Sequence, residues 1–128
     1  MRNTLCREER LRGKRVISNV FENGQSFFQL PYKVFWIKIV EATKFPCRFG
    51  VSAPKRLFKR AVKRNLLKRR SREAFRINKN IVSDAINDGS QIHLMVVYAS
   101  DKLLSWSELD EAMKKILIRI VKKCSDIC

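Results

Sequence analysis

Histidine occurs once in the 128 residues, at position 93, and no two cysteines form a Cys-x-x-Cys pair. A zinc centre of ordinary ligand spacing is therefore excluded. The four glycines are scattered, so there is no Gly-rich phosphate loop of the nucleotide-binding kind. Apolar runs such as 34–37 and 116–118 are short and flanked by Lys or Arg. They fall far below the roughly 20 residues that a spanning helix needs. The first fifteen residues, MRNTLCREERLRGKR, lack the apolar stretch of a signal peptide, and the expectation is a cytoplasmic protein with no membrane partner. In that reducing compartment Cys6, Cys47, Cys124 and Cys128 read as free thiols. Three prolines and four glycines leave no linker, repeat or low-complexity tract, so residues 1–128 are read as one domain, with 1–12 and 124–128 as flexible ends.

Acidic residues are also scarce. Twelve Asp and Glu stand against 28 Lys and Arg, a formal net charge of +16 and a pI near 10.3. A compact domain with that charge repels itself, so a polyanionic partner is called for, either nucleic acid or an anionic membrane surface. Hydrophobic residues make up 45%, too many for a disordered tail.

The pattern alternates between helix and strand. Val16, Ile17, Val20 and Phe21 recur at helical spacing, and Asn23-Gly24 reads as a left-handed stop. Strands are expected over 25–29, over 32–40 (YKVFWIKIV) and over 48–53, closed by Pro54. Residues 57–77 are strong helix formers, and Asp88-Gly89 marks a turn. A buried strand is expected over 92–98, then a last helix from a capping box, Ser105-x-x-Glu108. Its apolar stripe is Leu109, Met113, Ile116, Leu117, Ile120 and Val121. The resulting order, αβββαβα, is an α+β two-layer domain.

Residues 55–76, KRLFKRAVKRNLLKRRSREAFR, carry eleven Lys or Arg against one acid, Glu73. Arg60, Arg64, Lys68, Arg72 and Arg76 step by four. At the helical period each step drifts about 40° over one side of the helix. Val62, Leu66 and Ala74 are expected on the side that seals the helix to a sheet. Charge runs are commonly just solvated faces, but those usually mix signs. Like charges at i,i+4 destabilise a helix by ~0.2–0.5 kcal/mol per pair, and phosphates between them would remove that cost. Arginine on most rungs suits a bidentate grip on phosphate. Charge does not separate RNA from DNA. Phe21 and Phe35 could stack on unpaired bases, although each alone reads as readily as core. On the strand, Tyr32, Val34 and Trp36 face one way and Lys33, Phe35 and Ile37 the other.

The segment 60–76, RAVKRNLLKRRSREAFR, resembles the signature helix of the bacterial ribonuclease P protein component, with its Ala-Val, Arg-Asn and spaced Lys-Arg and Arg-Glu. The likeness extends along nearly the whole chain. Arg10-Leu11, Val20-Phe21 and Gly24 resemble that family's first helix, 32–37 its second strand, and 48–52 with Lys55-Arg56 its third. The resemblance implies a mixed four-stranded sheet with a basic, left-handed crossover helix, the ribosomal protein S5 domain 2-like fold. It also implies a 1:1 complex of a protein monomer with the ribonuclease P RNA. In that complex the catalytic RNA and Mg2+ held by the RNA carry the chemistry, and the protein has no catalytic or metal site of its own. The pair removes the 5′ leader of precursor tRNA.

Carried onto this chain, Lys55, Arg56, Arg60, Arg64, Asn65, Lys68, Arg69 and Arg72 would bind RNA, and Phe21 and Phe35 would line the leader cleft. The chain departs from the family pattern in three places. Leu66 stands where the third residue of Arg-Asn-Arg is expected, with Arg70 as a possible stand-in. Ile17 replaces an aromatic, and Phe58 with an extra residue replaces a Gly-containing turn. The remaining candidates for chemistry are weak. His93 reads as structural, the i,i+4 pair Asp84 and Asp88 as chance, and Asp110 and Glu111 as solvating the last helix. The alternative to a ribonucleoprotein enzyme subunit is a non-catalytic ribosomal or RNA-assembly protein, and behind it a DNA-compacting protein.

Overall fold

A computed structural model of the chain describes residues 10–40, 47–85, 90–100 and 102–127. Helix α1 is Lys14–Asn23, strands β1, β2 and β3 are Gln25–Gln29, Tyr32–Val40 and Cys47–Ser52, and α2 is Ala61–Asn78. A short α3, Asn80–Ser83, precedes β4, Ser90–Tyr98, and α4, Trp106–Ile127. The expected αβββαβα order and mixed α+β sheet are present, with α3 added in a stretch the sequence left open. The Asp88-Gly89 turn, Cys6 and Cys128 lie outside the described residues.

The sheet runs β1-β2-β4-β3. β2 is antiparallel to both β1 and β4, while β3 and β4 are parallel, so α2 lies in the crossover between them. Strand alternation divides the side chains as expected. Tyr32, Val34 and Trp36 are buried with Ile92, Leu94, Val96 and Tyr98 under α2 and α4. Each such large side chain contributes about 1.5–3 kcal/mol on leaving water. Phe49 stacks on Phe75 of α2, centroids 4.5 Å apart. Tyr32 and Ser71 share a buried 2.6 Å hydrogen bond that ties β2 to α2. The other face is partly covered by α1, where Val16, Ile17 and Val20 meet Phe35, Ile37 and Met95.

The caps differ in an informative way. Gly24 has φ −83°, extended rather than the left-handed conformation expected from Asn23-Gly24. A side chain there would stand 2.4 Å from the Val20 carbonyl oxygen and 2.6 Å from that of Trp36, so close packing requires the glycine. Of the Ser105–Glu108 box the N-cap half forms, Ser105 Oγ accepting from the Glu108 N–H at 3.4 Å, while the Glu108 carboxylate accepts from the Ser105 hydroxyl at 2.9 Å instead of from its backbone N–H. Leu11 and Cys124, inside the ends expected to be flexible, are buried. Arg10-Leu11 is not helical but runs parallel to β3, with Leu11 N–H donating to the Phe49 carbonyl at 2.8 Å.

Helix α2 begins at Ala61 rather than Leu57. Pro54 starts a turn that drives Phe58 into the core beside Tyr98, and Arg60 remains extended at φ −81°, ψ 126°. No helix among the described residues is long and apolar enough to cross a membrane.

Candidate nucleic-acid interface

The buried side of α2 is Leu67, Ser71, Ala74, Phe75 and Asn78. With about 100° of turn per residue, the opposite side carries Val62, Arg69 and Glu73, flanked by Leu66. Of the three apolar residues expected to seal the helix, only Ala74 does so. Val62 is 78% exposed and Leu66 half-buried at the surface. The sealing positions were missed because Leu67, Ser71 and Phe75 are interleaved with arginines, which hides their periodicity.

On the outward side an open groove of about 690 Å³ runs along the helix, lined by Val62, Asn65, Leu66, Lys68, Arg69 and Arg72, and farther along by Glu73, Arg76 and Arg10. The fold brings four of the eight expected RNA contacts, Asn65, Lys68, Arg69 and Arg72, into this one surface. Lys55 and Arg56 sit exposed in the turn before the helix, and Arg60 is its exposed N-terminal flank. Arg64 is differently employed. Its guanidinium donates to the Phe58 carbonyl at 3.1 Å and to that of Lys59 at 3.4 Å, clamping the loop 58–60. Arg70, named as a stand-in for the residue that Leu66 replaces, donates to the Leu104 carbonyl at 3.5 Å on the α4 side and does not line this groove. Glu73 pairs with Arg76, which holds the carboxyl below its ordinary range, the hydrogen bond being the main cause.

A second groove, about 360 Å³, lies between the α1 approach and the β3 edge and is lined by Arg10, Arg12, Ile17, Gly50, Arg72 and Met95, among others. Arg10 and Arg72 border both grooves. Burial, and then the Arg10 charge, lower the Arg72 pKa from its usual high value. Two guanidiniums held this close are relieved by an anion between them.

Phe35, Met95 and Gly50 are register partners in one row across the sheet under α1. At the end of that row away from the groove, Phe21 and Phe35 meet edge to face, centroids 4.6 Å apart, with Lys33 Nζ 5.3 Å from the Phe35 ring. Phe21 is 40% exposed and Phe35 half-buried, so Phe21 keeps a surface for a ligand while Phe35 also serves the small α1 core. Gly50 lets Leu11 and Met95 approach, since a side chain there would lie 2.7 Å from Met95 Sδ. Sequence reasoning missed Arg10, Arg12 and Met95; the Arg10-Leu11-Arg12 run was a usable signal for the first two.

His93, Asp84, Asp110 and Glu111 line neither groove. His93 is buried with Nε2 2.8 Å from Gln91 Oε1, the structural role expected. Asp110 does more than solvate α4: it accepts from the buried Asn78 amide at 2.7 Å and pairs with Lys114 at 3.2 Å. Asp88 lies outside the described residues, and among those described no three His, Cys, Asp or Glu side chains gather as metal ligands.

Comparison with known proteins identifies the family. The family profile for ribonuclease P matches residues 5–121. The ribonuclease P protein component of Porphyromonas gingivalis is 36% identical over 118 residues, covering 91% of this chain and 85% of that one. That of Chlorobaculum tepidum is 38% identical over 88 residues, 66% of this chain and 56% of that one. Among solved structures, the Thermotoga maritima RNase P protein superposes with TM-score 0.69 at 26% identity, covering 87% and 96% of the two chains. The Staphylococcus aureus RNase P protein shares the fold at TM-score 0.67 and 21% identity, covering 89% and 95%. A family match over most of the chain, a relative 36% identical over most of both chains and the shared fold together establish that this chain belongs to the ribonuclease P protein component family.

Proposed function

We propose that this chain acts as the protein subunit of a ribonuclease P, binding the catalytic RNA through the α2 face and the 5′ leader of precursor tRNA beside α1, and so assisting removal of the leader. The observation that carries this reading is the continuity of the two grooves at Arg10 and Arg72. A polyphosphate strand passing from one to the other would meet the Arg10 and Arg72 guanidiniums at the junction. Lys55, Arg56, Arg60, Arg64, Asn65, Lys68, Arg69 and Arg72 are assigned to the RNA. Phe21 and Phe35 are assigned to the leader, whose unpaired bases offer faces for aromatic contact.

On this reading the RNA and its magnesium ions carry the phosphodiester chemistry. The metal is assigned to the RNA; among the described residues of this chain no three His, Cys, Asp or Glu side chains converge. The active particle is one protein with one RNA, in the cytoplasm. Reconstitution tests the proposal directly. The purified chain added to a bacterial ribonuclease P RNA is expected to restore cleavage of precursor tRNA at low magnesium. Unchanged activity, with the RNA competent at high magnesium, overturns it.

A further inference from the structure

The α2 groove is not uniformly cationic. Val62 and Leu66, one helical turn apart, form an apolar strip on the side away from the buried face, and Asn65, Lys68, Arg69 and Arg72 line the same groove. Single exposed apolar residues need no explanation. Two in register inside a cationic groove do, because phosphates gain nothing from a leucine or a valine. Val62 is 78% exposed. Being β-branched, it brings no helix-propensity advantage either. What an aliphatic strip bordered on one side by cations fits is a flat apolar surface tethered to phosphate, which is the face of a nucleobase. In an A-form duplex the base faces are hidden in the stack, so only an unpaired base can present one.

We infer that Val62 and Leu66 seat the face of one unpaired nucleobase of the bound RNA, adenine by preference, with Asn65 at its edge and Lys68, Arg69 and Arg72 on the flanking phosphates. The inference rests on the RNA-binding reading above and gives that surface a sequence preference it otherwise lacks. Adenine is chosen because its two-ring face covers more of the aliphatic strip than a pyrimidine does, and because the Asn65 amide, an adjacent donor and acceptor, can meet its N6 and N7 positions. The phosphate contacts position the strand and the base contact selects the nucleotide.

The test uses the full chain, labelled on its backbone amides and on its Val and Leu methyl groups, titrated at fixed low salt with four probes: single-stranded oligoadenylate, single-stranded oligouridylate, the oligoadenylate strand carrying abasic sites, and an RNA duplex of equal length. Oligoadenylate is expected to move the Val62 and Leu66 methyl signals upfield through the base ring current, whereas the abasic strand and the duplex leave them in place. Leu66→Ala, at a surface position where alanine favours the helix, is expected to weaken oligoadenylate about fivefold, the low end for a base contact. Its salt dependence and its affinity for duplex should not change. Probes that bind and shift the Lys68 and Arg69 amides, with unmoved methyls and no effect of Leu66→Ala, overturn the inference and leave the RNA-binding reading standing. Equal methyl shifts from oligouridylate overturn the choice of adenine. If no probe binds even in dilute buffer, the RNA-binding reading fails and the inference with it.

Discussion

Tyr32 shows how a single buried polar atom constrains this fold. Burial raises its phenol pKa, opposed by the hydrogen bond with Ser71. The unfolded chain releases that proton near pH 10, but the folded chain keeps it to higher pH. Folding therefore has its full Tyr32 contribution below about pH 10 and loses it as the pH rises further. Tyr98, also raised by burial, adds to the same slope. Tyr32→Phe should flatten part of the alkaline loss and cost about 1–2 kcal/mol at neutral pH, because Ser71 is left buried without its partner. Urea melts at neutral and alkaline pH check both effects. Gly24→Ala should destabilise by about 1–3 kcal/mol from overpacking. Its Cβ would meet the Val20 and Trp36 carbonyl oxygens. A melt within a few tenths of wild type would show that the α1–β1 junction gives way.

Helix α2 divides its labour around its circumference. One side is core, the opposite side groove, and Arg64 near the boundary is turned to the carbonyls of Phe58 and Lys59. Lys68→Ala and Arg69→Ala should each lower RNA affinity and reduce the log–log salt slope by about 0.7–0.9, leaving the melting temperature unchanged. Arg64→Ala should lower affinity too, but with a stability loss of about 0.5–1.5 kcal/mol from the unclamped loop. If calorimetry finds no such loss, the clamp is incidental. The four-residue ladder read from the sequence is oblique to this division. Its first rung, Arg60, precedes the helix. Successive rungs drift about 40° each from the core side towards the groove.

At the scale of the molecule, the +16 charge is tolerable because the cations are carried on a frame with a separate apolar core. RNA binding by the intact chain should weaken with salt at a log–log slope of about −4 to −7, as for five to eight phosphates engaged. A flat salt response in a filter-binding titration would remove the electrostatic basis of the proposed function. Phe35→Ala should reduce leader binding, and because Phe35 also packs under α1 a small loss of stability should accompany it. Phe21→Ala, at a more exposed ring, should reduce leader binding with little change in melting. Precursor-tRNA titrations with and without a leader separate the two.

Strand alternation over Tyr32–Val40, the stripe of α4 and the near-absence of acids in 55–76 were set locally, by helical and strand periodicity and by charge. They determined the order of elements, which residues of each strand share a face and the class of partner, whereas which of the two faces is buried came from the packing of α2 and α4. Three things required the assembled fold. Which face of α2 is outward could not be read where arginines interrupt the apolar period, so Val62 and Leu66 exchanged roles with Leu67 and Phe75. The continuity of the two grooves depends on Arg10, which the Leu11–Phe49 hydrogen bond helps to bring beside Arg72 from far away in the chain. The need for glycine at 24 comes from the Trp36 carbonyl, a neighbour that exists only once β1 and β2 have paired. Local periodicity is written in consecutive residues, whereas these approaches are created by packing distant segments together, and only tertiary structure decides them.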